Sequence, residues 1–335
     1  MQRRNFIRLI GAAALNIPRA GYAQTKVGLP VVGFLLPLKS ESTFAKDRVT
    51  ALRKGLQEAG FVEGTNYSLA VRFAEGNLDR YPELWKELGA LNARVIVAVG
   101  AINGIVEFHR AFPEMPIVFT AIAADLVGLG LVRSYTHPGG MITGNLMNAV
   151  GGEETIAQKR IGLLKELVPG LTRLGTIAPA NRVLAKQEKE ALKKISAQLN
   201  FEVIHYDLNT IDDLESAFAT ALRDDVSAFY ISTEPMLFAH LARVINSVKA
   251  SRKPSVGTIP DWGREGLLIS YATDILDGVL HAGIYAGKIL NGAKPRDLPI
   301  EQASKFTLVI NQKTANALGI TVPPTLLALA DEVIE

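Results

Sequence analysis

The sequence contains no cysteine among its 335 residues. This absence excludes a disulfide framework, a thiolate metal site and a cysteine nucleophile. No cysteine follows the N-terminal export signal described below, so the chain has no residue there to which a lipid anchor could be attached. We therefore expect the mature protein to be free in solution rather than anchored to a membrane.

The common nucleotide-binding and catalytic motifs are also missing. Gly128 and Gly130 begin a dinucleotide-type glycine pattern, but Arg133 occupies the position of its third glycine. The sequence has no phosphate-binding loop, no His-Glu-x-x-His zinc motif and no Gly-x-Ser-x-Gly nucleophile motif. Its five histidines are scattered at spacings that do not suit a metal site. We therefore expect no metal, no cofactor and no catalytic residue.

The N-terminus has the anatomy of an export signal. Arg3, Arg4 and Arg8 form a basic start, residues 9–17 form an apolar run, and residues 21–23 (Gly-Tyr-Ala) end in a small-x-Ala pattern. The apolar run is far shorter than the roughly 20 residues that a transmembrane helix needs. The arginine pair followed by Asn-Phe-Ile resembles a twin-arginine signal, with an ordinary Sec signal as the alternative.

We predict that residues 1–23 are removed and that the mature protein lies in the periplasm. Loss of the four arginines in this segment lowers the formal net charge from +3 to about −1. The other basic residues are interspersed with acidic ones, which excludes a nucleic-acid footprint. Mass spectrometry of exported protein should show Gln24 as the first residue, and retention of Met1 would contradict export. Changing Arg3 and Arg4 to Lys should block export if the twin-arginine route is used, and should leave export largely intact if the Sec route is used.

The remaining chain repeats one strand–helix pattern within residues 31–260. Gly33 and Gly175 occupy equivalent positions in the two copies, as do Pro116 and Pro254, which gives a period of about 140 residues. Strands that alternate with helices of this length predict parallel sheets covered on both faces. We therefore predict an α/β protein with two Rossmann-like lobes and a ligand cleft at the carboxyl ends of the strands.

The connections between the copies predict how the lobes are joined. Residues 137–154 are rich in glycine, which indicates turns and a first crossing between lobes. A helix and a strand remain after the second copy, so we predict a return to the first lobe and a third crossing, which together make a hinge. The alternative is that residues 266–335 extend the second lobe. The predicted lobes comprise residues 30–143 plus 272–303 and residues 144–271 plus 304–335.

Small residues at predicted strand ends indicate a binding site. One strand ends at Gly100 and Ala101 just before a helix, whose unobstructed amides suit an anion. Residues 179–183 repeat this arrangement in the second lobe, with Asn181 as the polar contributor. Two further pairs stand at equivalent strand ends: Thr120-Ala121 and Thr233-Glu234.

Carboxylates near strand ends supply the complementary acceptors. Asp261 and Asp274, like Glu234, are predicted to receive an ammonium or hydroxyl group of a ligand. Helix N-capping is the alternative for Asp125 and Asp274. Tyr271 is the predicted aromatic contact. Three other aromatic residues are predicted to flank an apolar ligand body, namely Phe119, Tyr230 and Trp262.

Segments spread over nearly the whole chain resemble the periplasmic substrate-binding components of ABC transporters, in the branch with tryptophan- and tyrosine-type binding proteins. The matching segments are RRNFIRLIGAAA (3–14), VVGFL (31–35), ALRKGLQEAGFVEGTNYSL (51–69), FAEGNLDRYPEL (73–84), PIVFTAIAADLVGLGLVRSYTHPGGMITG (116–144), ISYATD (269–274) and the C-terminal run 282–335.

The resemblance implies a type I periplasmic-binding-protein fold with three crossovers, no catalysis, and a monomer that delivers ligand to the transmembrane subunits of an ABC permease. From the strand-end residues we predict a small carboxylate-bearing ligand, with an aromatic or branched amino acid favoured over a sugar. Two alternatives remain. One is a ligand-sensing module for a membrane receptor, and the other is an exported α/β hydrolase or transferase.

Overall fold

The computed structural model describes residues 28–335 except 101, 123, 148–151, 181, 233 and 304. The predicted signal and three predicted site residues, Ala101, Asn181 and Thr233, lie outside the described residues. Among the described residues, no helix has both the length and the apolar character needed to cross a membrane.

The first lobe contains a six-stranded sheet, and all the pairings described in it are parallel. Its strands are β1 (Val31–Leu36), β2 (Ser68–Phe73), β3 (Val95–Val99), β4 (Ile117–Ile122), β5 (Ile142–Leu146) and β11 (Glu301–Gln302). Their spatial order is β11-β5-β4-β3-β1-β2. Its helices are α1 (Thr43–Glu58), α2 (Tyr81–Ala90), α3 (Ile102–Ala111) and α10 (Ile275–Leu290).

Strand β3 shows why this sheet is covered on both faces. Its sequence VIVAV is apolar throughout, as expected for a strand with no solvated face. Val95, Val97 and Val99 pack with α1 and α10, whereas Ile96 and Ala98 point to the opposite face, where they pack with α2 and α3. Successive side chains thus enter different cores, as the period-2 geometry of a strand requires.

The second lobe contains a seven-stranded sheet in the order β13-β12-β10-β9-β8-β6-β7. Its strands are β6 (Arg173–Pro179), β7 (Glu202–Leu208), β8 (Ala228–Ile231), β9 (Ser255–Gly257), β10 (Ile269–Thr273), β12 (Phe306–Asn311) and β13 (Glu332–Ile334). Its helices are α4 (Gly152–Leu167), α5 (Val183–Leu199), α6 (Leu214–Arg223), α7 (Pro235–Ala239), α8 (Leu241–Ser251), α9 (Pro260–Glu265), α11 (Gln312–Leu318) and α12 (Pro324–Leu329). Short 3₁₀ turns occur at Leu78–Arg80, Ile211–Asp213 and Pro295–Asp297.

The two sheets repeat the same order, β4-β3-β1-β2 in one and β9-β8-β6-β7 in the other. Gly33 and Gly175 are the third residues of the equivalent strands β1 and β6. A Cβ at Gly33 would approach the side chain of Ile96 to 3.1 Å, and one at Gly175 would approach Phe229 and Tyr206 to 3.2 Å. Both glycines therefore leave space for side chains packed against the sheet.

The chain passes between the sheets three times: between β5 and α4, between β10 and α10, and between β11 and β12. Helix α10 packs on α1, β3, β4 and β5, so it belongs to the first lobe. The predicted fold class, two α/β lobes joined by three crossovers, is confirmed. The predicted boundaries at residues 143, 271 and 303 fall within or next to β5, β10 and β11, and that division into lobes stays a prediction.

Two elements differ from a simple parallel repeat. Strand β10 leaves the second lobe toward the hinge and β12 enters from it, so these neighbours are antiparallel. Strand β5 lies in the glycine-rich segment 137–154, for which the sequence predicted turns and a crossing between lobes but no strand. Its Gly144 has φ of +146°, and a Cβ there would lie 2.0 Å from the carbonyl oxygen of Phe119. Glycine is needed in this strand because the backbone of β4 is so close.

Candidate ligand-binding site

The carboxyl ends of both sheets face the boundary between the lobes, and buried contacts join the lobes there. Leu38 and Ala45 of the first lobe lie in the same apolar core as Ile177 and Trp262 of the second. Phe44 stacks at a tilt on Phe238, with ring centroids 5.0 Å apart. The two lobes are therefore closed on one another along this side.

A buried ion pair crosses the same boundary. Nη2 of Arg48 in α1 lies 3.3 Å from Oδ2 of Asp261 in α9, and both side chains are at most 10% exposed. Arg48 also donates to the carbonyl of Phe44 and lies over the ring of Phe238. Burial lowers the pKa of Arg48, and the attraction of Asp261 opposes that effect. The contact between the lobes therefore depends on Asp261, which pairs with the charge of Arg48 where water is excluded.

Asp261 is fully engaged by arginines in this arrangement. Its Oδ1 accepts a 2.9 Å hydrogen bond from Arg264, which also pairs with Glu332 near the C-terminus. Its Oδ2 faces Arg48. The sequence predicted Asp261 as an acceptor for a ligand, whereas the structure gives both of its oxygens to arginines of the protein. A ligand ammonium at this position would have to displace one of these arginines.

Thr120, Ala121 and Asp274 line one cavity of about 60 Å³ beside the hinge. The hydroxyl of Thr120 donates to Oδ1 of Asn145 over 2.7 Å, and Nδ2 of Asn145 donates to the carbonyl of Gly278 over 2.8 Å. A Cβ on Gly278 would approach both polar side chains to 2.9 Å. This network fixes the ends of β4 and β5 to α10. The cavity itself is far smaller than the roughly 300–1,000 Å³ of typical small-molecule pockets.

The ends of β3 and β4 adopt an unusual backbone. Gly100 has φ of +67° and Ala121 has φ of +56°, and the pairing register of β4 shifts between Phe119 and Ile122. A residue with a Cβ in this left-handed region is strained by about 1–3 kcal/mol, and such strain concentrates at functional sites. The N–H of Gly100 donates to the carbonyl of Thr120, so this amide is already used, and a Cβ at Gly100 would lie 3.9 Å from the carbonyl oxygen of Ala121.

Asp274 is the N-cap of α10. Its Oδ1 accepts from the amides of Leu276 and Asp277, while its Oδ2 lies 4.0 Å from Nζ of Lys305 across the hinge. The capping alternative for Asp274 is therefore confirmed. Asp125 instead accepts from the amide of Gly128 in a turn, so its predicted helix cap is wrong.

Phe119, Tyr230 and Tyr271 lie in or against the cores of their own lobes, and Trp262 lies in the core that the two lobes share. Tyr271 stacks on Phe306 with ring centroids 5.5 Å apart, and it packs against the core of the second lobe. Phe119, Tyr230 and Trp262 are at most 1% exposed. The structure does not bring these four rings to the hinge cavity. Because both sheets are covered on both faces, an aromatic residue in a strand is buried whichever face it occupies.

A second polar group lies at the carboxyl edge of the second sheet. Glu234 follows β8, and its Oε1 accepts from the amide of Ala185 in the first turn of α5, while burial raises its pKa. Arg160 of α4 is buried and pairs with Glu153, with Nη1 and Oε1 separated by 2.6 Å. Glu188 of α5 is also buried and accepts from the hydroxyl of Ser232.

Sequence reasoning missed Arg160 and Glu188, although a signal was present. Arg160 lies four residues after Ile156 and four before Leu164, so it stands in the apolar stripe of α4. Glu188 lies four residues before Leu192, in the stripe of α5. A charged residue on the core-facing stripe of an amphipathic helix departs from the usual pattern and indicates a buried polar role.

Comparison with known families now identifies the protein class. The family described as "ABC transporter substrate binding protein" matches residues 34–334. The chain belongs to this family. The family consists of solute-binding proteins rather than enzymes.

Individual relatives are distant in sequence and similar in fold. A tyrosine-binding protein from Clostridioides difficile (strain R20291) is 22% identical over 267 residues, which cover 80% of this chain and 75% of that protein. A Streptococcus pneumonia ABC domain in complex with L-Trp has a TM-score of 0.81 at 24% identity, covering 92% of this chain and 100% of that one. The ligand-free, open structure of a substrate binding protein with adhesive properties from Clostridium difficile has a TM-score of 0.65 at 19% identity, covering 91% and 99%.

Proposed function

We propose that this substrate-binding protein captures a small amino-acid-like ligand with a carboxylate group, preferentially an aromatic or branched amino acid, and delivers it to an ABC permease. The observation that carries the proposal is the meeting of two sheet edges. The carboxyl ends of both sheets face one boundary, where Arg48 and Asp261 join the lobes and Ala121 at the end of β4 has a strained, left-handed backbone. Ligands of α/β sheets bind at such edges.

The two edges differ in chemistry in a way that suits an amino acid. In the first lobe, α3 begins directly after β3, and a helix N-terminus favours a carboxylate. In the second lobe, Glu234 places a carboxylate at the start of α5, which favours an ammonium group. The named ligands of two relatives, tyrosine and L-Trp, support the aromatic preference. Our proposed contacts are Gly100, Ala101, Thr120, Ala121, Asn181, Thr233 and Glu234.

The remaining predicted residues take supporting roles in this proposal. Asp274 holds α10 at the hinge, Tyr271 supports the core of the second lobe, and Asp261 joins the lobes. We place the protein outside the cytoplasm as a soluble monomer without a lipid anchor, in keeping with its family and its lack of cysteine. A membrane receptor is the alternative partner, and neighbouring genes for a permease and an ATPase, rather than a sensor kinase, would favour import.

Calorimetric titration tests the ligand. Protein that has been unfolded, dialysed and refolded, to remove any bound compound, should bind L-tyrosine or L-tryptophan and bind glucose weakly or not at all. Tyrosinamide, which lacks the carboxylate, should bind much more weakly than tyrosine. A saturating ligand at 100 times its Kd should add about 2.7 kcal/mol to the free energy of unfolding. Tight binding of a neutral sugar without binding of any carboxylate would overturn the ligand assignment.

A further inference from the structure

Glu188 is a buried carboxylate with an unpaired oxygen. Its side chain is 3% exposed, and its Oε2 accepts a hydrogen bond from the hydroxyl of Ser232. Its Oε1 is buried without any hydrogen-bond partner, the one carboxylate oxygen of this kind in the described part of the chain. A buried polar atom left unpaired is costly, so each such atom in a protein calls for an explanation.

Glu188 lies near the carboxyl edge of the second sheet, the edge at which the proposed ligand binds. Ser232, its hydrogen-bond partner, directly follows β8, and α5 begins soon after the equivalent end of β6. Glu234, two residues beyond Ser232, binds the amide of Ala185 one turn before Glu188. Glu188 therefore lies just beneath the carboxyl edge of the sheet, where this fold holds its ligands.

The charges around Glu188 leave an excess of negative groups. From α4 it faces Glu153 and Arg160, and from the segment after β8 it faces Glu234. The neutral hydroxyl of Tyr230 in β8 is also close, and it accepts a hydrogen bond from Arg160. Burial raises the pKa of Glu188 to about 8, and repulsion from Glu153 adds to this effect. Arg160 is the cation that faces Glu188, whereas Glu234 is attracted by Arg182.

Arg160 does not compensate Glu188 directly, because its hydrogen bonds go elsewhere. Nη1 donates to Oε1 of Glu153 and to the hydroxyl of Tyr230. Nε donates to the carbonyl of Tyr271 over 2.8 Å, and Nη2 reaches the carbonyl of Thr258 at 3.4 Å. Oε1 of Glu188 therefore has no hydrogen-bond donor among the described residues, although Arg160 attracts the carboxylate without a hydrogen bond.

We propose that Glu188 accepts the positively charged amino group of the bound ligand. This inference rests on the proposed function and refines it, because it assigns the ammonium of an amino acid to Glu188, with Glu234 beside it at the start of α5. An ammonium group brings the missing N–H donors, and its positive charge strengthens a hydrogen bond to a carboxylate. When the ligand binds, its ammonium replaces the proton carried by the Glu188 carboxyl, and that proton passes to the solvent. Affinity should therefore rise as the pH increases toward about 8.

The test compares Glu188→Gln with Glu190→Gln, which changes an exposed glutamate on the same helix. We expect Glu188→Gln to raise the Kd for L-tyrosine by about 10- to 100-fold, as for loss of a charge-assisted hydrogen bond, and Glu190→Gln to leave it unchanged. The Kd for 3-(4-hydroxyphenyl)propionate, which lacks the amino group, should be the same in the wild type and in Glu188→Gln. Calorimetry at pH 7 in buffers of different ionisation enthalpy should show proton release only when Glu188 is present.

Each outcome separates this inference from the proposed function. An unchanged tyrosine affinity in Glu188→Gln would overturn the assignment while the proposed function stands. Equal losses for tyrosine and for the analogue would show a purely structural role and would also overturn it. If Glu188→Gln does not fold, the wild type alone tests the assignment. Ligand binding without proton release between pH 7 and pH 8 would then overturn it. Wild-type protein that binds no amino acid would instead overturn the proposed function itself.

Discussion

Substitution of Gly55 by valine should destabilise the first lobe by at least about 3 kcal/mol, because it forces apart two helices whose backbones touch. A Cβ at Gly55 in α1 would lie 2.0 Å from the carbonyl oxygen of Leu280 in α10. Reciprocally, a Cβ at Gly283 would lie 2.5 Å from the carbonyl oxygen of Leu52. Neither neighbour can rotate away, since both are backbone atoms within helices.

Separation of α1 from α10 would disturb the packing of Leu52, Leu56 and Val279 against the sheet. Gly162→Ala is the matched control, because Gly162 also lies in a helix but has no atom within 4 Å of an added Cβ. That control should gain up to about 1 kcal/mol from reduced backbone freedom. Urea unfolding and thermal melting measure both variants. Equal stability of Gly55→Val and the wild type would contradict the close packing.

The second large effect is expected from Arg48→Ala, which removes one partner of the ion pair between the lobes. Removing one partner of a buried pair costs about 3–5 kcal/mol when the other charge stays buried. Here the lobes can open, which returns Asp261 to water. The lost free energy should therefore favour the open form of the protein rather than unfold it. We expect a larger radius of gyration by small-angle scattering and an affinity at least about tenfold lower, since only the closed fraction binds tightly.

The control for this experiment is Arg53→Ala. Arg53 lies on the same helix and pairs with Glu63 over 2.6 Å, but its side chain is 49% exposed, and surface pairs contribute about 0–1 kcal/mol. A cycle that adds Asp261→Ala would show whether the two residues act together, because the double variant should then lose little more than either single one. Unchanged scattering and affinity in Arg48→Ala would contradict a role for this pair in closure.

The sequence predicts the sheet edge at which a ligand should bind, and it predicts less well the contacts that each residue at that edge makes. Strand ends in a parallel repeat must meet at one edge, and Thr120 and Ala121 line a cavity beside the hinge with Asp274, but their contact with a ligand stays a prediction. The partners of Asp261 were not predictable, because Arg48 is 213 residues away in the chain. A carboxylate after a strand has the same local sequence whether it binds a ligand, a helix end or a distant arginine.

The sequence by itself determined the two-lobed α/β architecture, because apolar strands and amphipathic helices repeat with equivalent glycines at Gly33 and Gly175. These patterns are local in the sequence. A fold that buries the apolar strands and the apolar faces of the helices must pack the helices on the sheets. Only the tertiary structure decided that residues 142–146 form a strand, that β10 and β12 are antiparallel, and that Glu188 lies unpaired beneath a sheet edge. Each depends on contacts between segments far apart in the chain, which no local pattern specifies.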